Sequence, residues 1–516
     1  MINAEDICQI DHESVVIPYK STPKSSEDVP FSASVSVDPD NIVSATVKQQ
    51  AYEINRTYDR VFNPAIPLYN GMSGNIVGNV NMGKVLPPQR KARLPQYSHE
   101  RMISLQNCMD ELEEVGVFAK PEDVGITAEY LNMTFLTAKP NGGERLVTSF
   151  GEVGQYSKPQ PSLMPNVNDT LRVIGQCKYL IKTDLSKAFY QIPLNKESMR
   201  FCGVSTPFKG VRVYTRCAMG MPGSETALEE LMNRVVGHLV QEGVLAKIAD
   251  DMYCGGNTPE ETLVTWSKVL KCLADNSLGL SATKTIIFPK TTVTLGWVWC
   301  DGTLKASPHR TAALSSVELP TTVRSLKSFI GAYKVLSRVI RRYAEIMYPL
   351  EQAVAGKQSS DKIKWSDELI SHFKRAQESL NQCQIITIPR STDTLWIVTD
   401  GAGSCGIAST LYLLRNGERK LGGFFNAQLR KNQALWLPCE VEALSICMAL
   451  NHFSPYIIQS NEQSHLITDN KPCVQAYQRM CRGLFSNSAR VTAFISAVSR
   501  YQVSVSHTSG VNIPLT

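Results

Sequence analysis

Among its 14 cysteines, from Cys8 to Cys481, the chain has no Cys-x-x-Cys pair. That absence argues against a zinc ribbon or knuckle, and 516 residues is far too long for a secreted disulfide scaffold. There is also no run of roughly 18 apolar residues of the kind a membrane helix needs. The opening residues, MINAEDICQIDHES, are acidic and polar and lack the apolar stretch of a signal peptide. The expectation is a soluble protein of a reducing compartment, intracellular and cytoplasmic, with no membrane partner. Charge of one sign is scarce: 53 Lys+Arg against 47 Asp+Glu leaves +6, which permits nucleic-acid binding without demanding it. No internal repeat is visible. What is present is an ordinary globular composition, 43% hydrophobic and 19% charged, at a length that predicts three or more domains.

KIADDMYCGG, residues 247–256, sets Asp250 and Asp251 side by side between apolar neighbours and a Gly-Gly turn. Adjacent carboxylates at an apolar surface repel each other and resist desolvation. A solvated turn accommodates such a pair. So does a divalent cation, whose charge and preference for hard oxygen ligands offset the repulsion. The cation reading needs a third carboxylate at another strand end. YLIKTDLSKAFYQIPL, 179–194, contains an apolar strand ending on Asp184, a residue that alone could equally cap a helix. Asp184 and Asp250 lie 66 residues apart, with the helix-forming ETALEELMNRVVGHLVQEG between them. A βαβ-scale spacing followed by a hairpin can bring those strand ends together. Three carboxylates there could hold two Mg²⁺, activating an attacking hydroxyl and stabilising a leaving pyrophosphate. The chemistry implied is phosphoryl transfer.

In order along the chain, TAKPNGGERLVTSF, TDLSKAFYQIPL, CAMGMPGS, IADDMY and TLGWVWCDG resemble the reverse transcriptases of gypsy-type LTR retrotransposons and retroviruses. The resemblance covers roughly 97 to 516. It implies that Asp184, Asp250 and Asp251 are the polymerase metal ligands. It puts Lys139 and Arg145 on the fingers over the incoming triphosphate, where cations matching phosphate geometry are needed. Phe189 falls where the family keeps an aromatic that excludes the ribose 2′-hydroxyl, and on pattern alone it could equally be core. Gly220 matches the glycine beneath the nascent base pair, where a side chain would block close approach. Leu295, Gly296 and Trp297 match the hairpin that grips the primer end. Three places depart from the pattern. Ile248 replaces Tyr or Phe, Met219–Pro222 is an unusual template loop, and Thr148-Ser149-Phe150-Gly151 stands where the family has VDYR. None removes a metal ligand.

Residues 321–344 read as a helix with two stripes. Leu326, Ile330, Tyr333 and Ile340 share one face, and Lys327, Lys334, Arg338 and Arg341 share another. A basic stripe is ordinarily a solvated face; beside a polymerase palm it could track a duplex backbone, and it resembles the family's thumb. Further on, TLWIVTDGAGSCGIAS places Asp400 after a strand, the helical CEVEALSICMALNHF carries Glu440 and Glu442, and SHLITDN ends a strand on Asp469. This order of acids resembles ribonuclease H, whose acids bind two Mg²⁺ and hydrolyse the RNA of an RNA–DNA hybrid. Glu442 fits the family helix better than Glu440, with Ser445 where the family has Gly or Ala. Residues 320–394 leave room for a thumb but not for a retroviral connection domain.

The expected fold is α+β and multidomain: a right-hand polymerase of fingers, palm and thumb, followed directly by a ribonuclease H-like α/β domain. Residues 1–48 read as a linker or polyprotein tail, 49–97 as an extension leading into the fingers, and 98–319 as fingers and palm. The thumb spans 320–390 and the ribonuclease H-like domain 391–516. The expected activity is synthesis of DNA from dNTPs, on RNA and then DNA templates with a DNA primer, and cleavage of the RNA–DNA hybrid. Each active site is expected to use two Mg²⁺, with Mn²⁺ as a substitute. The setting is the cytoplasm or virus-like particles within it, and monomer and homodimer both remain open. The rival is a domesticated, non-catalytic RNA- or hybrid-binding protein, against which the intact acids argue. With no Asp-[Ser/Thr]-Gly protease motif and no zinc-binding integrase pattern, the chain is expected to be a piece or product of a polyprotein. SHTSGVNIPLT resembles the family's closing segment, with His507, Gly510 and Asn512 in place; a fourth acid is due at position 517, just past Thr516. The resulting expectation is a domain truncated at its C-terminus, with hybrid cleavage weak or absent at physiological Mg²⁺ and polymerase activity kept.

Overall fold

The computed structural model describes residues 29–88, 94–139, 142–403, 406–484, 486 and 488–509. The chain divides into two compact units, Met1–Lys290 and Thr291–Thr516.

The first unit begins with β1 (Ser36–Val37), α1 (Ala45–Thr57) and α2 (His99–Glu114). α2 packs inward through Leu105, Met109 and Leu112, which recur at helical spacing on one face and are buried. β2 (Phe118–Ala119), β3 (Leu131–Ala138) and β4 (Glu144–Ser149) follow, then α3 (Gly151–Tyr156), α4 (Val167–Gln176) and β5 (Tyr179–Asp184). After α5 (Lys196–Met199) come β6 (Gly203–Ser205), β7 (Val211–Tyr214) and the long α6 (Ser224–Gln241). β8 (Leu245–Ile248), β9 (Asp251–Gly256), α7 (Pro259–Asp275) and β10 (Ile286–Ile287) complete the unit. The strands form two sheets, ordered β1-β10-β5-β9-β8 and β2-β7-β6-β3-β4. α6 and α7 bury Leu228, Leu231, Trp266 and Leu270 with Ile181 and Met252 of the first sheet, which is therefore fixed from beneath.

Residues 29–48 were expected to be linker, and the described part of that stretch is not. β1 joins the sheet edge parallel to β10, and Val35, Val37 and Val47 are buried in the core. The Asp59 carboxylate accepts hydrogen bonds from the Phe31 and Ser32 amides and the Ser32 hydroxyl. The polar residues that suggest a linker are caps and turn-formers here: Asp38 accepts from the Ile42 amide, and Ser44 caps α1.

The second unit starts with β11 (Thr292–Thr294), β12 (Trp297–Cys300), β13 (Thr303–Ala306) and α8 (Pro308–Ser315). Then come α9 (Val323–Lys334), α10 (Tyr343–Val354), α11 (Asp367–Ser379) and β14 (Ile386–Thr387). β14 pairs with β13, Thr303 opposite Thr387, within the second unit, which begins at Thr291. This differs from the expected boundary at 319. The remainder is β15 (Thr394–Ala402), β16 (Gly406–Arg415), β17 (Glu418–Ala427), α12 (Pro438–Gln459), β18 (Ser464–Thr468), α13 (Lys471–Met480), α14 (Ala489–Ile495) and β19 (Val503–His507). Their sheet order is β17-β16-β15-β18-β19, with β15 and β19 both parallel to β18. α12 covers it, burying Ala443, Ile446, Leu450 and Phe453 with Leu395, Ile397 and Leu411. No helix among the described residues is long and apolar enough to cross a membrane.

The basic helix expected over 321–344 ends at Lys334. Beyond it, the carbonyls of Arg338 and Val339 accept from the amides of Phe424 and Gln384, at 3.0 and 2.8 Å, instead of closing helical turns. Arg342 then adopts φ +54°, which stops any continuation before α10. Arg338 and Arg341 therefore lie outside the helix that carries Lys327 and Lys334.

Candidate active sites

β5 and β9 run antiparallel with Asp184 directly opposite Asp251. The β8–β9 hairpin turns through Ala249 and Asp250, so the three acids predicted from the sequence stand at adjoining strand ends, near enough for Asp250 and Asp251 to act on the Asp184 carboxyl. Asp184 is 4% exposed, and its carboxylate pairs with the Lys284 ammonium. Burial raises the Asp184 carboxyl to about 6; Asp250 and Asp251 push the same way, and Lys284 opposes them. Asp251 is likewise raised, by burial first, with the Lys182 charge opposing and Asp250 reinforcing. Lys284 could not be found from local spacing, because it lies 100 residues from the carboxylate it meets.

Lys139 and Arg145 sit exposed on the β3–β4 hairpin, where the Lys139 amide bonds the Gly143 carbonyl. Their charges bear on Lys187 and Tyr190, beside the acid cluster's strand. Phe189, on the 3₁₀ turn Ala188–Gln191, is half-buried, with its inner side packed against the core. Gly220 has φ +76°, and among the described residues no heavy atom beyond its two chain neighbours lies within 4 Å of where a Cβ would stand. The backbone angle, not packing within the chain, is what favours glycine there.

In the second unit, Leu295 (φ +52°) and Gly296 (φ +77°) make a two-residue turn between β11 and β12. The Arg310 guanidinium donates to the Leu295 carbonyl at 3.3 Å and braces this tip. Trp297 is 2% exposed, so it supports the hairpin from inside; Leu295 and Gly296 at the tip are half-buried. Strand alternation accounts for this, since Trp299, two residues on, is buried as well. Lys327 and Lys334 are exposed on α9. Arg338 instead donates to the Tyr456 hydroxyl at 3.0 Å and lies 6.0 Å from the Trp297 ring centre, which takes it out of the predicted basic stripe.

The second acid cluster is Asp400 on β15, Glu442 on α12 and Asp469 just after β18. One ligand oxygen from each lies within 4.8 Å of the others. Gly401 allows this approach: a Cβ there would stand 2.9 Å from Glu442 Oε2 and 3.0 Å from the Val441 carbonyl. Glu442 is 2% exposed and accepts a 2.5 Å hydrogen bond from the Thr468 hydroxyl. Burial raises its carboxyl to about 8, and Asp400 and Asp469 add to the rise against the Thr468 bond. Asp400 is raised too, by burial and then by Asp469. Ser445, where the family pattern has a smaller residue, fits by donating to the Asp400 and Ala408 carbonyls. Glu440 faces elsewhere. Burial alone would raise it, but Ser488 and Arg490 bond its carboxylate and hold it below its usual range. His507, on β19, has Nε2 3.1 Å from the Asp469 carbonyl. Gly510 and Asn512 lie outside the described residues.

Residues 144–299 match the family described as reverse transcriptase (RNA-dependent DNA polymerase), and residues 365–464 match the RNase H-like domain found in reverse transcriptase. The chain carries both domains, in that order. It is 24% identical over 366 residues to the retrovirus-related Pol polyprotein of transposon 297 from Drosophila melanogaster, covering 71% of this chain and 33% of that one. To the Pol polyprotein of transposon opus, from the same fly, it is 21% identical over 461 residues, covering 86% and 45%. The chain thus spans a third to less than half of these relatives' length. Among solved structures, the foamy viral protease-reverse transcriptase with dsDNA superposes at TM-score 0.72 and 17% identity, covering 94% of this chain and 99% of that one. The same viral protein with an RNA/DNA hybrid superposes at TM-score 0.68, again at 17% identity, covering 96% and 66%. The fold is that of these proteins.

Proposed function

We propose that this chain synthesises DNA at the Asp184, Asp250 and Asp251 cluster and cleaves the RNA of RNA–DNA hybrids at the Asp400, Glu442 and Asp469 cluster. The single observation that carries the reading is the placement of three carboxylates at each of two strand-end clusters, in domains of the matching families. The Asp400, Glu442 and Asp469 oxygens lie close enough together to share one Mg²⁺. The Asp184, Asp250 and Asp251 carboxylates, which repel one another from adjoining strand ends, are acids that Mg²⁺ would relieve. The donors of both clusters are carboxylate oxygens, and burial with mutual repulsion raises Asp184, Asp251, Asp400 and Glu442, as expected of acids that a hard cation would relieve. When bound, Mg²⁺ would supply activation of the attacking oxygen and stabilisation of the leaving one, and Mn²⁺ could substitute.

The chain's own residues do the rest of the work. Lys139 and Arg145 would neutralise and orient the triphosphate from the fingers. Phe189 would occupy the space a 2′-hydroxyl needs, selecting deoxynucleotides. Gly220 would let the nascent base pair approach the backbone. Leu295 and Gly296 would hold the primer end, and Lys327 and Lys334 the duplex phosphates. The partners are then an RNA template, a DNA primer, the hybrid they form and dNTPs, in the cytoplasm. The foamy viral proteins of like fold were solved with dsDNA and with an RNA/DNA hybrid, which supports the reading. The intact acids argue against a purely binding role.

The test is extension of a labelled DNA primer on an RNA template by the purified chain. Extension that requires Mg²⁺ and dNTPs and ceases with EDTA is expected. No extension under any divalent-metal condition would overturn the proposal.

A further inference from the structure

Glu229 and Lys247 form an ion pair in the core, with Glu229 1% and Lys247 4% exposed. An ionised pair in such a place is costly to desolvate, and an apolar pair of similar volume would often serve stability as well. A second bond suggests what keeps it there. While Glu229 Oε2 pairs with Lys247 on β8, its Oε1 accepts from the Ala249 amide at 3.2 Å. Ala249 is the first residue of the turn between β8 and β9, and its φ of +51° is left-handed, unusual for alanine. The next residue, Asp250, offers its carbonyl to the Leu185 amide at 3.0 Å, immediately after Asp184. The turn is therefore held from two sides, by Glu229 of α6 at its first residue and by Leu185, just past β5, at its second.

We infer that Glu229 is a positioning residue for polymerisation: by accepting from the Ala249 amide it holds the strained turn that sets Asp250 and Asp251 against Asp184. Lys247 balances the Glu229 charge and orients its carboxylate, so that Oε1 faces the turn. Nothing in the local sequence marks the pair, because Glu229 and Lys247 are 18 residues apart on different elements. Ile248, which replaces the aromatic of the family pattern, sits between Lys247 and this turn. The inference rests on the proposed polymerase function, so wild-type extension is established first; its failure would concern that function, whereas the variants below are judged only against an active wild type.

Two double variants test it. E229L/K247M keeps an apolar pair of similar volume but removes the acceptor for the Ala249 amide. E229Q/K247M removes both charges but keeps an amide oxygen that can accept. We expect E229L/K247M to fold with a thermal midpoint near wild type, to lose at least tenfold in kcat with KM for dNTP within threefold, and to need more Mg²⁺ for half-maximal rate. E229Q/K247M should retain kcat within threefold and the wild-type Mg²⁺ requirement. A folded E229L/K247M protein with wild-type kcat and Mg²⁺ dependence would overturn the inference. If E229L/K247M does not fold, E229Q/K247M decides: retention of kcat supports the acceptor role, and a tenfold loss in the folded protein overturns it.

Discussion

At the scale of single residues, Phe189 is the side chain on which the proposed choice of deoxynucleotides turns. Its inner side packs against the palm core while the residue stays half-exposed next to the strand that ends on Asp184. Substituting Phe189→Val opens space for a 2′-hydroxyl at modest cost to packing. We expect dNTP-over-rNTP selectivity to fall by about tenfold or more, the scale of a steric barrier worth one to a few kcal/mol. Competitive incorporation assays read this directly, and unchanged selectivity would leave Phe189 a core residue only. Order and spacing along the chain carry the acids: Asp184, Asp250 and Asp251 stand at adjoining strand ends of the first unit, and Asp400, Glu442 and Asp469 come together from two strands and a helix of the second. Lys284, Glu229 and Thr468 were not legible in that way. Each acts through an interaction made only by the folded chain, across 100 residues for Lys284 and Asp184 and 26 for Thr468 and Glu442.

At the scale of elements, CEVEALSICMALNHF reads as helical and lies within α12, whose run of helix-forming apolar residues is buried on several sides. Helical period misread 321–344 as one helix. Leu326, Tyr333 and Ile340 are buried as predicted, but backbone groups beyond Lys334 bond other segments, and pattern does not record that competition. The consequence divides the predicted basic stripe. Lys327→Ala with Lys334→Ala should weaken primer-template binding and lower the slope of log K against log salt by about two, roughly one for each phosphate no longer neutralised. Arg338→Ala should leave that slope unchanged and instead lower thermal stability, since Arg338 is tied to Tyr456 and lies over Trp297. Fluorescence anisotropy across a salt series separates the two. A change of slope for Arg338→Ala would return it to the binding surface.

At the scale of the whole molecule, the buried acids link metal, protons and stability. Glu442 has its carboxyl raised from 4.5 to about 8, so between those values the folded state holds a proton that the unfolded state has released. Stability of the metal-free protein should therefore fall as pH rises from about 4.5 to 8, the reverse of a salt-bridged carboxylate. Mg²⁺ should offset the loss most at the alkaline end, and Glu442→Gln should remove this part of the slope. Thermal unfolding in EDTA and in Mg²⁺ at several pH values checks it; equal slopes for wild type and Glu442→Gln in EDTA would contradict the linkage.

The most direct test of two separate catalytic centres on one chain uses a single substrate, a DNA primer on a labelled RNA template, with two variants. Asp250→Asn should lose primer extension by orders of magnitude and leave whatever hybrid cleavage the wild type shows unchanged. Asp469→Asn should do the reverse, abolishing cleavage while extension continues at the wild-type rate. Extension by Asp250→Asn at near wild-type rate, or loss of extension in a folded Asp469→Asn protein, would contradict the assignment of one reaction to each cluster.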